Sequence, residues 1–163
     1  MNRTIMWKGI YYQSLEYCEI ITNDNEVQVT SVILGIHENK EYRVDYSIKT
    51  NANWELIACH ITSRVSGVID IRAFQSEIDI SVSPFTNSLP INRLKLQIDQ
   101  TREIKVVYID VLNQAVKNVM QRYTRISDFQ YHFENVPNDF EATITVDPQG
   151  IIRDYPGLFV RLT

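Results

Sequence analysis

Apolar and polar residues alternate without a break over residues 42–49, where Tyr42, Val44, Tyr46 and Ile48 share one face and Arg43, Asp45, Ser47 and Lys49 the other. A period of two is the mark of a half-buried strand. Residues 77–83 repeat it, with Ile78, Ile80 and Val82 against Glu77, Asp79, Ser81 and Ser83, and Ala142, Ile144 and Val146 do so again. Asn51, Ala52 and Asn53 predict a turn from which residues 54–63 return as the second arm of a hairpin. Two further stretches are apolar on both faces: residues 27–36, and Ile104, Val106 and Tyr108 alternating with Val107, Ile109 and Val111. Such strands are expected to be covered twice, which a strongly curved sheet, a closed barrel or a sandwich would supply. Residues 113–125 are ambiguous, because Val116, Val119, Met120 and Tyr123 have helical spacing while Tyr123, Thr124 and Ile126 suit a strand; the second half is read as strand.

Composition strengthens the β reading. Ile and Val number 36 against 14 for Ala and Leu, and branching at Cβ fits a pleated surface better than a helix. A chain of 163 residues is expected to form one domain over residues 1–163, burying about 70% of its extended-chain surface, so its core needs no staples. The 16 basic and 20 acidic residues leave a net charge of −4, which argues against a nucleic-acid partner. Cys18 and Cys59 make no disulfide framework, and His37, His60 and His132 are too scattered for a metal site. The N-terminus lacks an apolar leader core and no run of 18 apolar residues occurs, so a soluble, cytoplasmic protein without a transmembrane segment is expected. Oligomeric state is left open.

Two segments stand apart. In the first, SPFTNSLPINRL from Ser83 to Leu94, Pro84 and Pro90 release the chain from any sheet ladder. Thr86, Asn87 and Ser88 offer turn or helix caps, and Phe85, Leu89 and Ile91 offer anchors, so an ordered loop is expected. Arg93 would serve either as an anion-holding charge on a cavity rim or as the partner of a nearby acid. The second segment, VDPQGIIRDYPGLFVRL from Val146, carries a turn at residues 147–150 and a break at Asp154, Tyr155, Pro156 and Gly157. Signature motifs of enzymes, including GxSxG, the Walker loop, HExxH, GxGxxG and CxxC, do not occur. Cys59 and His60 are strand neighbours that point to opposite faces, which defeats a nucleophile–base pair. Glu16, Asp79 and Asp147 come from separate strands, and solvated strand faces account for them. The aromatics Tyr42, Tyr46, Trp54, Trp7, Tyr11, Tyr12, Phe129, Tyr131 and Phe133 would line a concave apolar cleft or pack the core.

Taken together, PFTNSLPINRL at Pro84 to Leu94 and VDPQGIIRDYPGLF at Val146 to Phe159 resemble the PFTN-x-LPI-x-RL segment and the VD-x-x-G-x-x-x-DYPGLF ending of the bacterial putative glycolipid-binding family. Glu16 in SLEYC, the YRVDY strand with Trp54 beyond it, Asp79–Ile80 and Tyr123 in RYTRI extend the likeness over nearly the whole chain. Asn92 stands where the family has an Arg, and residues 64–73 are shorter than its pattern. The resemblance implies a mainly β fold: a single highly curved antiparallel or barrel-like sheet, similar to lipoprotein-carrier half-barrels, with at most short helices. It implies binding of a glycolipid or related amphiphile without catalytic residues, metal or cofactor, through Phe85, Thr86, Asn87, Arg93, Tyr42, Tyr46, Trp54, Tyr123, Asp154 and Tyr155. The alternatives are a structural or interaction module with a filled core, and a small-molecule enzyme using Asp147, Asp154, Tyr155 and Arg93.

Overall fold

The protein is described by a computed structural model over residues 1–64, 67–71 and 77–163. Part of the shortened stretch at 64–73, namely residues 65, 66, 72 and 73, lies outside the described residues. Thirteen strands form one sheet in the order β6-β5-β4-β3-β2-β1-β13-β12-β11-β10-β9-β8-β7. The first six are β1 (Asn2–Gly9), β2 (Ser14–Thr22), β3 (Glu26–His37), β4 (Lys40–Asn51), β5 (Leu56–Ser63) and β6 (Gly67–Ile71). After β7 (Glu77–Ile80) and the helix α1 (Phe85–Leu94), the chain continues through β8 (Thr101–Asp110), β9 (Ala115–Arg125), β10 (Gln130–Val136), β11 (Glu141–Val146), β12 (Ile152–Tyr155) and β13 (Phe159–Arg161). Every described pairing is antiparallel except β7 with β8. The expected mainly β, curved antiparallel sheet is therefore what forms, and it stays open rather than closing into a barrel.

Chain connectivity explains the curvature. At the usual spacing between strands, a flat sheet of this order would hold β6 and β7 about 58 Å apart. Ile71 and Glu77 are joined by only five residues, a link that reaches about 20 Å when fully extended. The sheet has to curl until its two edges approach. Local turns agree with this plan: the β3–β4 hairpin turns on Glu38 and Asn39, both at positive φ, as a two-residue hairpin of right-handed strand twist requires. The predicted turn at 51–53 forms around the Asn51 side chain, which accepts the backbone N–H groups of Asn53 at 2.9 Å and Glu55 at 3.0 Å. Gly35 lies directly beneath the ring of Tyr42, its Cα partner across the sheet, and a Cβ there would sit 2.4 Å from that ring.

Alternation delivers Ile5, Trp7, Val27, Val29, Ile33, Tyr42, Val44, Tyr46, Ile48 and Ile61 to one core cluster. A second cluster gathers Tyr123, Tyr131, Phe133, Ile144, Ile152, Tyr155 and Phe159. The expectation of double cover divides between the two apolar strands. On β3 the outer Leu34 and Ile36 remain more than half exposed, because no layer packs on the convex side there. On β8, Ile109 joins the first core cluster, and Ile104 and Val106 join the second. The ambiguous stretch is strand from Ala115 onward, not only in its second half.

The main departure concerns residues 83–94. From Phe85 to Leu94 they form a ten-residue helix that runs through Pro90, where an ordered loop was expected. Residues 85–91 are all buried. Prolines read as helix breakers mislead here for two reasons. Pro84 sits at the helix start, where no intrahelical N–H is needed, and Ser83 Oγ accepts the Phe85 N–H at 3.2 Å. The Pro90 penalty of about 3 kcal/mol is offset by burial of Phe85 and Leu89 in the first cluster and Ile91 in the second. Each polar side chain on α1 finds a partner off the helix or back on it. Thr86 Oγ1 reaches Asp79 at 3.2 Å, Asn87 Nδ2 donates to the Tyr123 hydroxyl at 2.9 Å, and Ser88 Oγ accepts the Ile152 N–H at 3.2 Å. Asn92 Nδ2 donates to Ser88 O at 2.9 Å and to Gly150 O at 3.2 Å. The two unusual sequence segments are thus halves of one joint.

Gly150 has φ +72°, and a Cβ on it would meet Asn92 Nδ2 at 2.6 Å. Gly150→Ala is expected to lower the unfolding free energy by at least about 1 kcal/mol, read as a lower urea midpoint with the slope unchanged. An unchanged midpoint would show that the joint carries no stability.

Candidate ligand-binding cleft

With α1 packed into the curl, a cleft of about 650 Å³ opens beside the second core cluster. That volume is in the usual range for small-ligand sites, roughly 300–1,000 Å³. One wall is aromatic, and its rings touch in series. Tyr11 meets Tyr12 edge-on at 5.0 Å, Tyr12 stacks on Phe159 at 5.6 Å, Phe159 meets Tyr155 at 6.2 Å, and Tyr155 meets Phe133 at 6.1 Å. Phe140 lies 6.2 Å from both Phe133 and Tyr155. The series begins at exposed Tyr11 on the β1–β2 turn and ends in the core.

Polar groups join the rings in the lining, and Tyr108 adjoins Tyr12. The parallel register of β7 with β8 sets Asp79 opposite Tyr108, and the antiparallel register of β8 with β9 sets Tyr108 opposite Lys117. Asp110, two residues along β8, lies on the same face, and Ser81, Ser83 and Asn87 also line the cleft. Asp79 accepts Gln121 Nε2 at 2.7 Å and Thr86 Oγ1 at 3.2 Å, yet burial outweighs both bonds and pushes its carboxyl above the ordinary range. Burial, reinforced by the charges of Asp79 and Asp110, pushes the Tyr108 phenol up to about 12. Burial likewise raises the Tyr12 phenol, with Tyr108, Asp79 and Asp110 adding to it. Both phenols are therefore neutral hydroxyls at any physiological pH, able to donate and to accept.

Behind the cleft floor lies Glu16, 2% exposed. Its Oε1 accepts hydroxyl bonds from Tyr46 at 2.6 Å, Ser31 at 2.8 Å and Ser83 at 2.9 Å. Its Oε2 is buried and has no hydrogen-bond partner among the described residues. Desolvation dominates the three hydrogen bonds and pushes the carboxyl up to about 7. Ser83 links the two places, since it lines the cleft while its hydroxyl holds Glu16. The solvated-face reading of the carboxylates fails at Glu16 and at Asp147, which is 4% exposed. Asp147 Oδ2 is held by Arg3 at 2.6 Å and Arg161 at 2.7 Å, and its Oδ1 takes the N–H groups of Gln149 and Ile151. Burial raises its carboxyl, but the two guanidiniums win and hold it below the ordinary range.

Of the ten residues expected to bind ligand, Asn87 and Tyr155 line the cleft. Tyr42 and Tyr46 belong to the first core cluster, with Trp54 packed against it. Phe85 is fully buried and Thr86 ties α1 to β7. Tyr123 lies in the second cluster beneath the cleft, bonded to Asn87. Asp154 is exposed, and Arg93 is paired with Glu77, the alternative considered for it. Asp147, Asp154, Tyr155 and Arg93 therefore each have separate surroundings and share no point of convergence. Cleft residues that the sequence did not point to include Tyr108, Asp110 and Phe140, while Asp79 was read as a solvated strand carboxylate. Tyr108 did carry a signal, a polar tip that follows Ile104 and Val106 on one strand face. Among the described residues, ligand atoms of His132, Glu134 and Glu141 come within 4.8 Å of one another. Glu134 and Glu141 are already held by Asn138.

A family model described as "Putative glycolipid-binding" matches residues 4–72 and 73–161. The crystal structure of a DUF1089 family protein from Pseudomonas aeruginosa superposes with a TM-score of 0.75 at 31% identity, covering 90% of this chain and 92% of that one. No curated protein matches the chain.

The orphan oxygen of Glu16 carries a prediction about pH. A carboxyl with a raised folded-state pKa stabilises the fold fully below its unfolded value, and that contribution is lost as pH rises through about 7. Between pH 4.5 and pH 8.5, the wild type is expected to lose roughly 3 kcal/mol relative to Glu16→Gln, which cannot ionise. Urea unfolding of both proteins at the two pH values measures this; parallel losses would place the ionisation elsewhere.

Proposed function

The chain belongs to the putative glycolipid-binding family, and from that premise we propose that it binds a glycolipid or related amphiphile, without catalysis, in the cleft between the aromatic wall and β7–β9. The observation that carries this reading is the mixed chemistry lining one cavity: a run of five contacting rings together with hydroxyl and carboxyl groups. Flat rings bury the apolar faces of a sugar or the methylenes of a chain, and each buried CH₂ contributes about 0.8 kcal/mol. Directional partners for sugar hydroxyls come from Asp79, Tyr108, Asp110 and Asn87. The helix packed in the curl limits what enters, so the headgroup and the first part of a tail occupy the cleft and the remainder of a long tail stays outside it. Thr86, Tyr123 and Tyr46 support the reading from behind, by holding Asp79, Asn87 and Glu16 in place.

Native mass spectrometry with lipid extraction of the purified protein, followed by saturation-transfer NMR with octyl β-D-glucoside below its micelle concentration, tests the proposal. The expected result is transfer to both sugar and alkyl protons. Val119→Trp, which fills the cleft from β9, is expected to abolish that transfer while the fold persists by circular dichroism. Neither co-purified amphiphile nor transfer in the wild type would sink the reading.

A further inference from the structure

The lining of the cleft is uneven in charge. Among the described residues, its lining carries three aspartates, Asp79, Asp110 and Asp139, and a single lysine, Lys117. Lys117 and Asp139 are exposed at the rim, so the deeper charges are the half-buried carboxyl groups of Asp79 and Asp110 on one sheet face. Arg93 does not reach this space, because its guanidinium is paired with Glu77. The N-terminal turn of α1 adds no anion site. Its Phe85 N–H is spent on Ser83 Oγ, whose own hydroxyl donates to Glu16 Oε1, and its Thr86 hydroxyl donates to Asp79. The Phe85 N–H and the Thr86 hydroxyl are therefore already engaged within the protein.

Resting on the amphiphile reading of this cleft, the geometry points to a headgroup that is an uncharged or aminated sugar, with phosphorylated, sulfated and carboxylated headgroups rejected. Hydroxyl and ammonium groups are donors that match the carboxylate, phenol and amide oxygens facing them. A phosphate would bring negative charge against Asp79 and Asp110 in partly desolvated surroundings, where repulsion is several times stronger than in water.

Three probes that share an octyl chain separate the possibilities: octyl β-D-glucoside, octyl 2-amino-2-deoxy-β-D-glucoside and octyl phosphate, each titrated into the intact chain by NMR below its micelle concentration. The expected order of affinity is aminated sugar, then neutral sugar, then phosphate, with phosphate at least about tenfold weaker than the neutral sugar at low salt. Raising the salt should narrow the spread, since the cleft is open to solvent. Asp110→Asn keeps an acceptor for the Asn113 N–H, now 3.2 Å from the carboxylate, and should bring phosphate and the aminated sugar closer together by several-fold. If phosphate binds as tightly as the neutral sugar, or if Asp110→Asn leaves the order and spacing unchanged, the headgroup inference is overturned while amphiphile binding stands. If none of the three binds, both are overturned.

Discussion

The five-residue tether between the two sheet edges is the constraint from which the rest of the molecule follows. An open sheet of thirteen strands has two edges with unpaired backbone groups and a concave apolar face, and neither is stable alone in water. By linking β6 to β7 through so little chain, the sequence obliges the sheet to wrap, and the wrapped sheet then encloses the segment that comes next, α1. The helix is buried all round because it is the part of the chain leaving the inner edge of the curl. That placement sets its chemistry, since every polar group it carries has to be answered inside the protein.

Those answers hold the concave side together. Ser88 and Asn92 bond the helix to the β11–β12 turn, Thr86 bonds it to β7, and Asn87 to the Tyr123 hydroxyl on β9. Trp7 adds a bond from Nε1 to Ile152 O at 2.9 Å, so the seam between β1 and β13 and the helix meet the same short strand. Each bond contributes about 1 kcal/mol, but leaving one partner unpaired costs more than that, which makes the joint specific rather than merely cohesive. Among the described residues, Glu16 is where this logic is incomplete. One of its oxygens is saturated and the other has nothing, and the carboxyl responds by holding its proton to near neutral pH.

A cavity formed beside such a joint inherits mixed walls. The aromatic series belongs to the second core cluster and to the β1–β2 turn, whereas the acids and phenols come from the face of β7 and β8 turned away from the first cluster. Neither wall is a binding motif in isolation. Brought together across about 650 Å³, they combine burial of apolar surface with directional acceptors, which suits a molecule that is itself part ring and part hydroxyl.

Several features were legible in the residues alone. The alternation at 42–49, the Asn51 turn, the excess of Cβ-branched residues and the Gly150 turn all depend on the intrinsic geometry of a few neighbouring residues, and the folded chain keeps them. What sequence could not supply was the surroundings of α1. Pro84 and Pro90 are local signals against a helix, and only tertiary packing decides that burial of Phe85, Leu89 and Ile91 outweighs them. Arg93 looked available for an anion until the fold placed Glu77 beside it. Glu16, Asp79 and Asp147 looked like solvated strand residues because alternation separates two faces without saying which face is covered. The curl decides that, and the register of a parallel pair between β7 and β8, with no short turn to encode it, decides which acids and phenols meet. Local periodicity is written into consecutive residues, while the environment of a charge depends on chain segments distant in sequence, so the first was readable in advance and the second was not.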